Sequence, residues 1–175
     1  MYVQIFTTGG TIDKVYFDAK SEFEVGEPQV TEILRTVGVA FEFGCEVLFR
    51  KDSLEMTDED RAVVAQRVAA SEARHLILTH GTDTMVETAQ AIEAALGPDS
   101  DRTVVLVGSL TPARFKASDA EFNVGFAAAA VQTLSPGVYI AMNGRVFRPQ
   151  EVRKNRAANR FESVADAPAG GADPR

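Results

Sequence analysis

Tyr2-Val3-Gln4-Ile5-Phe6-Thr7-Thr8-Gly9-Gly10-Thr11-Ile12-Asp13 opens the chain and holds the two signals from which the fold is read. Residues 2–6 are a short apolar run of strand length. Gly9 and Gly10 then let the backbone turn sharply and come close to a ligand. Thr11 follows directly, so its hydroxyl is presented from a strand end, where open α/β sheets bind ligands. Taken alone, the same residues describe an ordinary strand-to-loop turn. The rest of the chain decides between the two.

Apolar runs of strand length recur at 46–49, 76–79, 103–107 and 138–142. Helical patterns lie between them. Residues 29–37 read as a short helix closed by Gly38. Thr57, Asp58, Glu59 and Asp60 open a second helix with a hydroxyl and first-turn acids. Val63, Val64 and Val68, with Ala65 and Ala69, form its apolar stripe as far as Arg74. Met85 to Leu96 is an alanine-rich helix ended by Gly97-Pro98. Ser118 or Asp119 caps a fourth helix through Leu134, broken by Pro136-Gly137. Asn143-Gly144 is a turn signal after the last clear strand. Residues 13–29, with charges and aromatics, read as an exposed loop or hairpin that covers whatever Thr11 faces.

Strands alternating with helices four times predict an α/β fold: a parallel sheet covered on both faces, a flavodoxin/Rossmann-like three-layer sandwich. At 175 residues the chain is expected to be a single domain over 1–163. Residues 164–175, rich in Ala, Gly, Pro and Asp, are expected to be a flexible C-terminal tail.

Composition narrows the function. The net charge of −7 and pI of about 4.9 argue against general nucleic-acid or anionic-membrane binding. Cys45 is the single cysteine, which excludes a disulfide framework within the chain and a cysteine metal site. His75 and His80 are spaced so that one helix face would not stack them as a zinc pair. The start of the chain carries no charged region followed by a long apolar run, so a cytoplasmic protein without a signal peptide is expected.

The chemistry gathers at strand ends. The first gives Gly10 and Thr11, the second Asp52 and Ser53, and the third His80, Gly81, Thr82, Asp83 and Thr84. Successive parallel strands point the same way, so these residues open on one edge. Hydroxyls, a carboxylate and the amides bared by Gly10 and Gly81 suit a small polar ligand with charged ends. Amides can hold a developing oxyanion, and a hydroxyl can attack a carbonyl. Threonine is a weak nucleophile and needs a base. Lys154 is a candidate, since burial lowers the pKa of a lysine. The charge run Arg153-Lys154-Asn155-Arg156 otherwise reads as a solvated face.

Thr8-Gly9-Gly10-Thr11-Ile12 and His80-Gly81-Thr82-Asp83-Thr84 resemble the two signature motifs of the bacterial-type L-asparaginases. The likeness extends to Asp52-Ser53, to Val107-Gly108-Ser109-Leu110-Thr111-Pro112, and to Met142-Asn143-Gly144 leading to Lys154. The resemblance implies that Thr11 is the nucleophile that forms an acyl-enzyme. It implies that Thr82 helps activate the attack or the water, with Lys154 as its base. Asp83 would bind the substrate α-amino group and Ser53 the α-carboxylate, with Asp52 orienting the loop. Family members also use a tyrosine on the loop after the first signature. Tyr16 is the candidate, although alignment on Val25-Gly26 places Phe23 there instead. The common members are longer. Their second, smaller domain supplies an acidic residue to a neighbouring subunit's site, so this chain looks like a compact single-domain member.

The expected function is hydrolysis of L-asparagine to L-aspartate and ammonia, with no metal or organic cofactor, by a homo-oligomer (dimer or tetramer). The alternatives are glutaminase or amidotransferase-type amide hydrolysis, and a non-catalytic amino-acid-binding module.

Overall fold

β1 (Tyr2–Gly9) lies between two parallel neighbours, β4 (Glu42–Lys51) on one side and β5 (His75–Thr79) on the other. β6 (Thr103–Val107) and β7 (Gly137–Met142) continue the parallel sheet, and β8 (Arg145–Phe147) pairs antiparallel at its far edge. The order is therefore β4-β1-β5-β6-β7-β8. The chain steps from β1 to one side, then crosses back to β5 on the other. Such a reversal leaves a crevice beyond the C-terminal ends of the two strands, the position at which open α/β sheets bind ligands. The computed structural model of the protein describes residues 1–17 and 22–166, with Tyr16, Phe17, Glu22 and Phe23 described by backbone alone.

Two helical layers sandwich the sheet, as the alternation predicts. α2 (Asp58–Ala69) and α3 (Met85–Leu96) cover one face, where Val64, Val68, Met85 and Ile92 pack on Phe6, Leu76, Leu78, Val104 and Leu106. α1 (Gln29–Thr36) and α4 (Ala120–Thr133) cover the other, where Val30, Leu34, Val124, Ala127 and Val131 meet Val3, Ile5, Ile77 and Val105. Residues of opposite parity on each strand serve opposite layers, which is why β5 and β6 are apolar without alternation. Alanines on α4 bring its backbone close to the sheet. In α2 the apolar stripe is narrower than expected. Val64, Ala65 and Val68 are buried, whereas Val63 is exposed, because a helix at the rim turns only one narrow face inward.

Some local features differ from the sequence expectation or were not foreseen. β4 is much longer than residues 46–49 and pairs with the whole of β1. It is an edge strand, half-exposed, so its apolar signal is diluted by Glu42, Glu46 and Arg50. Its register shifts between Thr7 and Gly9, which brings the Lys51 carbonyl to the Gly10 amide at 2.9 Å. Asp119 stands at the α4 N-cap but makes no side-chain cap bond to the helix. Its carboxylate instead accepts from the Leu110 and Thr111 amides, both at 3.0 Å, and ties down the loop after β6. The amide of Ala120 goes to Ser118 Oγ at 3.0 Å.

After β8 the chain makes a second small antiparallel sheet, β9 (Val152–Asn155) with β10 (Arg160–Ser163). Val152 and Phe161 fasten it to the core, and the Phe161 amide donates to Asn143 Oδ1 at 2.8 Å. The first residues of the expected tail, Val164–Asp166, form a 3-10 turn. The Val164 amide bonds to the Glu151 carbonyl at 2.8 Å, and Asp166 pairs with Arg145 at 3.0 Å. The remainder of that expected tail, 167–175, lies outside the described residues. The predicted covering segment is a hairpin, β2 (Lys14–Phe17) against β3 (Glu22–Val25).

The start of α2 carries the capping arrangement read from its sequence. Thr57 Oγ1 accepts from the Asp60 amide at 3.2 Å, and the Thr57 amide donates to Asp60 Oδ2 at 3.0 Å. Lys51 Nζ reaches both oxygens of Asp60, at 2.9 and 2.8 Å, and so couples the cap to the end of β4. Thr57→Ala should lower the unfolding free energy by about 1 kcal/mol, measured by urea denaturation.

Candidate active site

The three strand ends meet through their glycines. Gly10 follows β1 with φ 88°, a conformation that L side chains rarely adopt. A Cβ at Gly10 would run into the backbone of Gly81. Gly81 follows β5, and a Cβ there would stand 2.5 Å from Ser53 Oγ and 2.6 Å from Ser53 Cβ. Gly10, Gly81 and Ser53 therefore stack with no room for a side chain between them. Thr11 comes directly after Gly10, half-buried at the start of a 3-10 turn, Thr11–Asp13. Thr82 comes directly after Gly81 and is buried. One backbone contact thus sets the two threonines on neighbouring strand ends.

Ser53 is buried beneath this contact. Its hydroxyl accepts from the Asp83 amide at 3.3 Å, and its carbonyl accepts from Thr84 Oγ1 at 2.7 Å. Asp52 Oδ1 accepts from the Leu54 amide at 3.1 Å, and Asp52 Oδ2 pairs with Lys14 Nζ at 2.6 Å. Burial pushes the Asp52 carboxyl up, but the Lys14 ammonium, the Leu54 amide and the nearby Lys154 charge outweigh it and hold the carboxyl below its ordinary value. The Lys14–Asp52 pair joins the root of the β2–β3 hairpin to the loop that carries Ser53. Nothing in the sequence pattern pointed to Lys14.

Lys154 arrives from β9, more than seventy residues downstream. Its Nζ donates to Thr82 Oγ1 at 2.7 Å and to Asp83 Oδ1 at 2.8 Å. Its side chain is 12 % exposed. Strand alternation explains how one residue of a charge run turns inward. Lys154 shares a face with buried Val152, while Arg153 and Asn155 on the other face bond to Glu162 of β10, Arg153 at 2.7 and 3.0 Å and Asn155 at 3.2 Å. That Glu162 cluster was not visible as a site element in the sequence. Its signal is the alternation itself. Arg156, read as part of a solvated face, places Nε 3.5 Å from Asp83 Oδ1.

His80 is fully buried behind Gly81. Burial lowers its pKa to about 4, and the positive charge of Arg61 pushes the same way. It is therefore neutral at pH 7. Nδ1 lies 2.7 Å from the Gly81 carbonyl, which can only accept, so Nδ1 carries the proton. Nε2 accepts from Thr88 Oγ1 at 2.8 Å. Both ring nitrogens are thus used to hold the loop. The two sequence candidates for the tyrosine position, Tyr16 and Phe23, are backbone partners across the hairpin. Their side chains lie outside the described residues.

The sequence profile of the family described as Asparaginase, N-terminal matches residues 2–173. The chain belongs to the asparaginase family. It is 30% identical over 162 residues to the "Probable L-asparaginase periplasmic" of Haemophilus influenzae, covering 87% of this chain and 46% of that protein. It is 29% identical over 168 residues to the "Glutaminase-asparaginase" of Acinetobacter glutaminasificans, covering 87% and 49%. The solved structure of the thermostable L-asparaginase from Thermococcus kodakarensis superposes with a TM-score of 0.82 at 26% identity, covering 96% of this chain and 52% of that one. The chain spans about half the length of the curated relatives it matches. The α/β fold is the asparaginase fold. One relative is named as periplasmic, so the cytoplasmic expectation is not carried further. Among the described residues no helix is long and apolar enough to cross a membrane.

Asp13, two residues beyond Thr11, is a buried carboxyl that the sequence reading passed over. It accepts from the Gln29 amide at 2.8 Å, and its carbonyl accepts from the Gly26 amide at the same distance, so it anchors the hairpin root to α1. Burial raises its pKa to about 7, against the lowering effects of the Gln29 bond and Arg50. The folded state therefore binds more protons at Asp13 than the unfolded chain does between about pH 4 and 7. Its contribution to stability is lost as pH rises through that window. His80 has the opposite sign: its folded pKa is depressed, so its contribution is lost as pH falls from 6.5 to about 4. The two slopes oppose each other in wild type. Asp13→Asn keeps the acceptor and removes one slope. Its stability should rise more steeply from pH 4 to 6.5 than that of wild type, by roughly 1–3 kcal/mol, in urea titrations across pH.

Proposed function

We propose that the protein is an amidohydrolase that converts L-asparagine and water to L-aspartate and ammonia by acyl transfer. What carries the reading is the Lys154–Thr82–Asp83 cluster, with contacts of 2.7 and 2.8 Å, on the same strand edge as Thr11. A turn threonine satisfying a local amide needs no lysine brought from a distant hairpin.

In this mechanism the Thr11 hydroxyl adds to the side-chain amide carbon. Backbone amides at the glycine turns hold the developing oxyanion. The C–N bond breaks, the nitrogen leaves as ammonia with the proton from Thr11, and an ester links Thr11 to the acyl group. Water then adds to the ester carbon. Thr82, held by Lys154, relays the proton that the attacking water gives up. The ester breaks, aspartate leaves and Thr11 regains its proton. Asp83 receives the substrate ammonium, and the Ser53 loop receives the α-carboxylate. Asp52 and Lys14 hold that loop. Tyr16 belongs to the hairpin over the site. A homo-oligomer supplies further walls of the pocket.

The likeness to a protein named as a glutaminase-asparaginase supports a second reading within the same chemistry, in which glutamine is the amide. Ammonia release from L-asparagine and L-glutamine separates the two. Thr11→Ala should lower release by at least about a thousandfold, with an unchanged circular dichroism spectrum. Lys154→Met should lower it by about a hundredfold or more. Binding of L-aspartate without release from either amide would instead favour a binding module.

A further inference from the structure

Charged side chains gather around Asp83 at the strand edge. Lys14, Lys154 and Arg156 face Asp52 and Asp83 there. Asp83 alone meets two of the cations on one oxygen, Lys154 Nζ at 2.8 Å and Arg156 Nε at 3.5 Å. The two are held differently. Lys154 is largely enclosed and has a second bond to Thr82, whereas the Arg156 side chain is 68% exposed and its contact is long. Arg156 can leave Asp83 on the solvent side. Lys154 cannot.

This arrangement creates a difficulty for a zwitterionic amino acid under the function proposed above, on which this inference rests. Its ammonium would be the third cation to approach Asp83. Its α-carboxylate, carried on the same Cα, resolves the difficulty if a cation follows it. We propose that Arg156 is a specificity-determining residue that exchanges partners on binding. The substrate ammonium takes the place of the guanidinium at Asp83, and the guanidinium pairs with the substrate α-carboxylate. One ion pair becomes two. A planar guanidinium fork matches a carboxylate with two parallel hydrogen bonds. A ligand with an ammonium but no carboxylate would strip Arg156 from Asp83 and leave it unpaired. The same edge therefore selects amino acids with a free α-carboxylate over their esters and over peptide-linked residues. No covalent step is involved, so the effect belongs to binding, not to the chemistry at Thr11.

The test compares L-asparagine with its α-methyl ester, in which ammonia still comes only from the side chain, for wild type, Arg156→Gln and Arg156→Lys. Arg156→Gln should raise KM for asparagine about tenfold, with kcat changed less than about twofold, and should lower KM for the ester, which no longer has to displace the guanidinium. Arg156→Lys, which keeps the charge without the fork, should fall between. The effect in wild type should shrink as salt is added. An unchanged KM for asparagine in Arg156→Gln, or an equal rise for both substrates, would overturn the exchange while leaving the amidohydrolase reading in place. Wild-type protein that releases no ammonia from either asparagine or glutamine would overturn the reading itself, and this inference with it.

Discussion

Gly10 and Gly81 touch backbone to backbone, and the C-terminal edge of the sheet is arranged around that contact. β1 and β5 are neighbours in the sheet, so their ends arrive side by side. With a side chain on either glycine the two loops would be pushed apart by the width of a methyl group. Ser53 would be displaced as well, since its hydroxyl already fills the space over Gly81. The sharp turn at Gly10, the burial of Thr82 and the position of the Asp83 amide all follow from one steric condition. Close approach of main chains is also what leaves amide groups facing a ligand instead of being shielded by side chains.

Behind this contact stands a buried, neutral histidine; in front of it the structure is polar and charged. His80 spends both ring nitrogens on holding the loop and carries no charge at neutral pH. An uncharged brace leaves the local field to Asp83, Lys154, Asp52 and Lys14. Those groups are only partly enclosed, so their interactions are moderated by water at the rim and stronger toward the sheet. Lys154 marks the boundary. Its ammonium is nearly enclosed and is satisfied by one hydroxyl and one carboxylate.

Much of this was legible in the amino-acid sequence, for identifiable reasons. The central strands β5, β6 and β7 are apolar on both faces, so their runs stand out, and parallel order follows from the helices between them. The strand ends were legible because glycine and hydroxyl residues follow those runs directly. Other elements were hidden because their signals are short or mixed. β4 is an edge strand whose exposed residues interrupt its apolar pattern. β9 and β10 have four residues each, too few for periodicity to emerge from a charge run. Asp119 looked like a helix cap by composition, but the open amides of Leu110 and Thr111 offered its carboxylate more bonds than the helix did. Lys14–Asp52 and Arg156–Asp83 are pairings between distant segments, and no local pattern encodes which charge meets which. Asp13 stood next to a glycine turn, where an acid is ordinarily solvated, and only the fold shows that it is enclosed.

The late hairpin has a consequence for how the protein comes into being. Thr11 leaves the ribosome early, whereas Lys154 is held in place by Phe161 and Glu162 on the following strand. The six-stranded sheet draws on residues 2–147, whereas Lys154 lies on a strand whose partner, β10, follows it in the chain. A partly synthesised chain therefore carries Thr11 and Thr82 without Lys154 beside them. The Lys154–Thr82–Asp83 cluster thus joins the first half of the chain to a hairpin that lies far downstream of it.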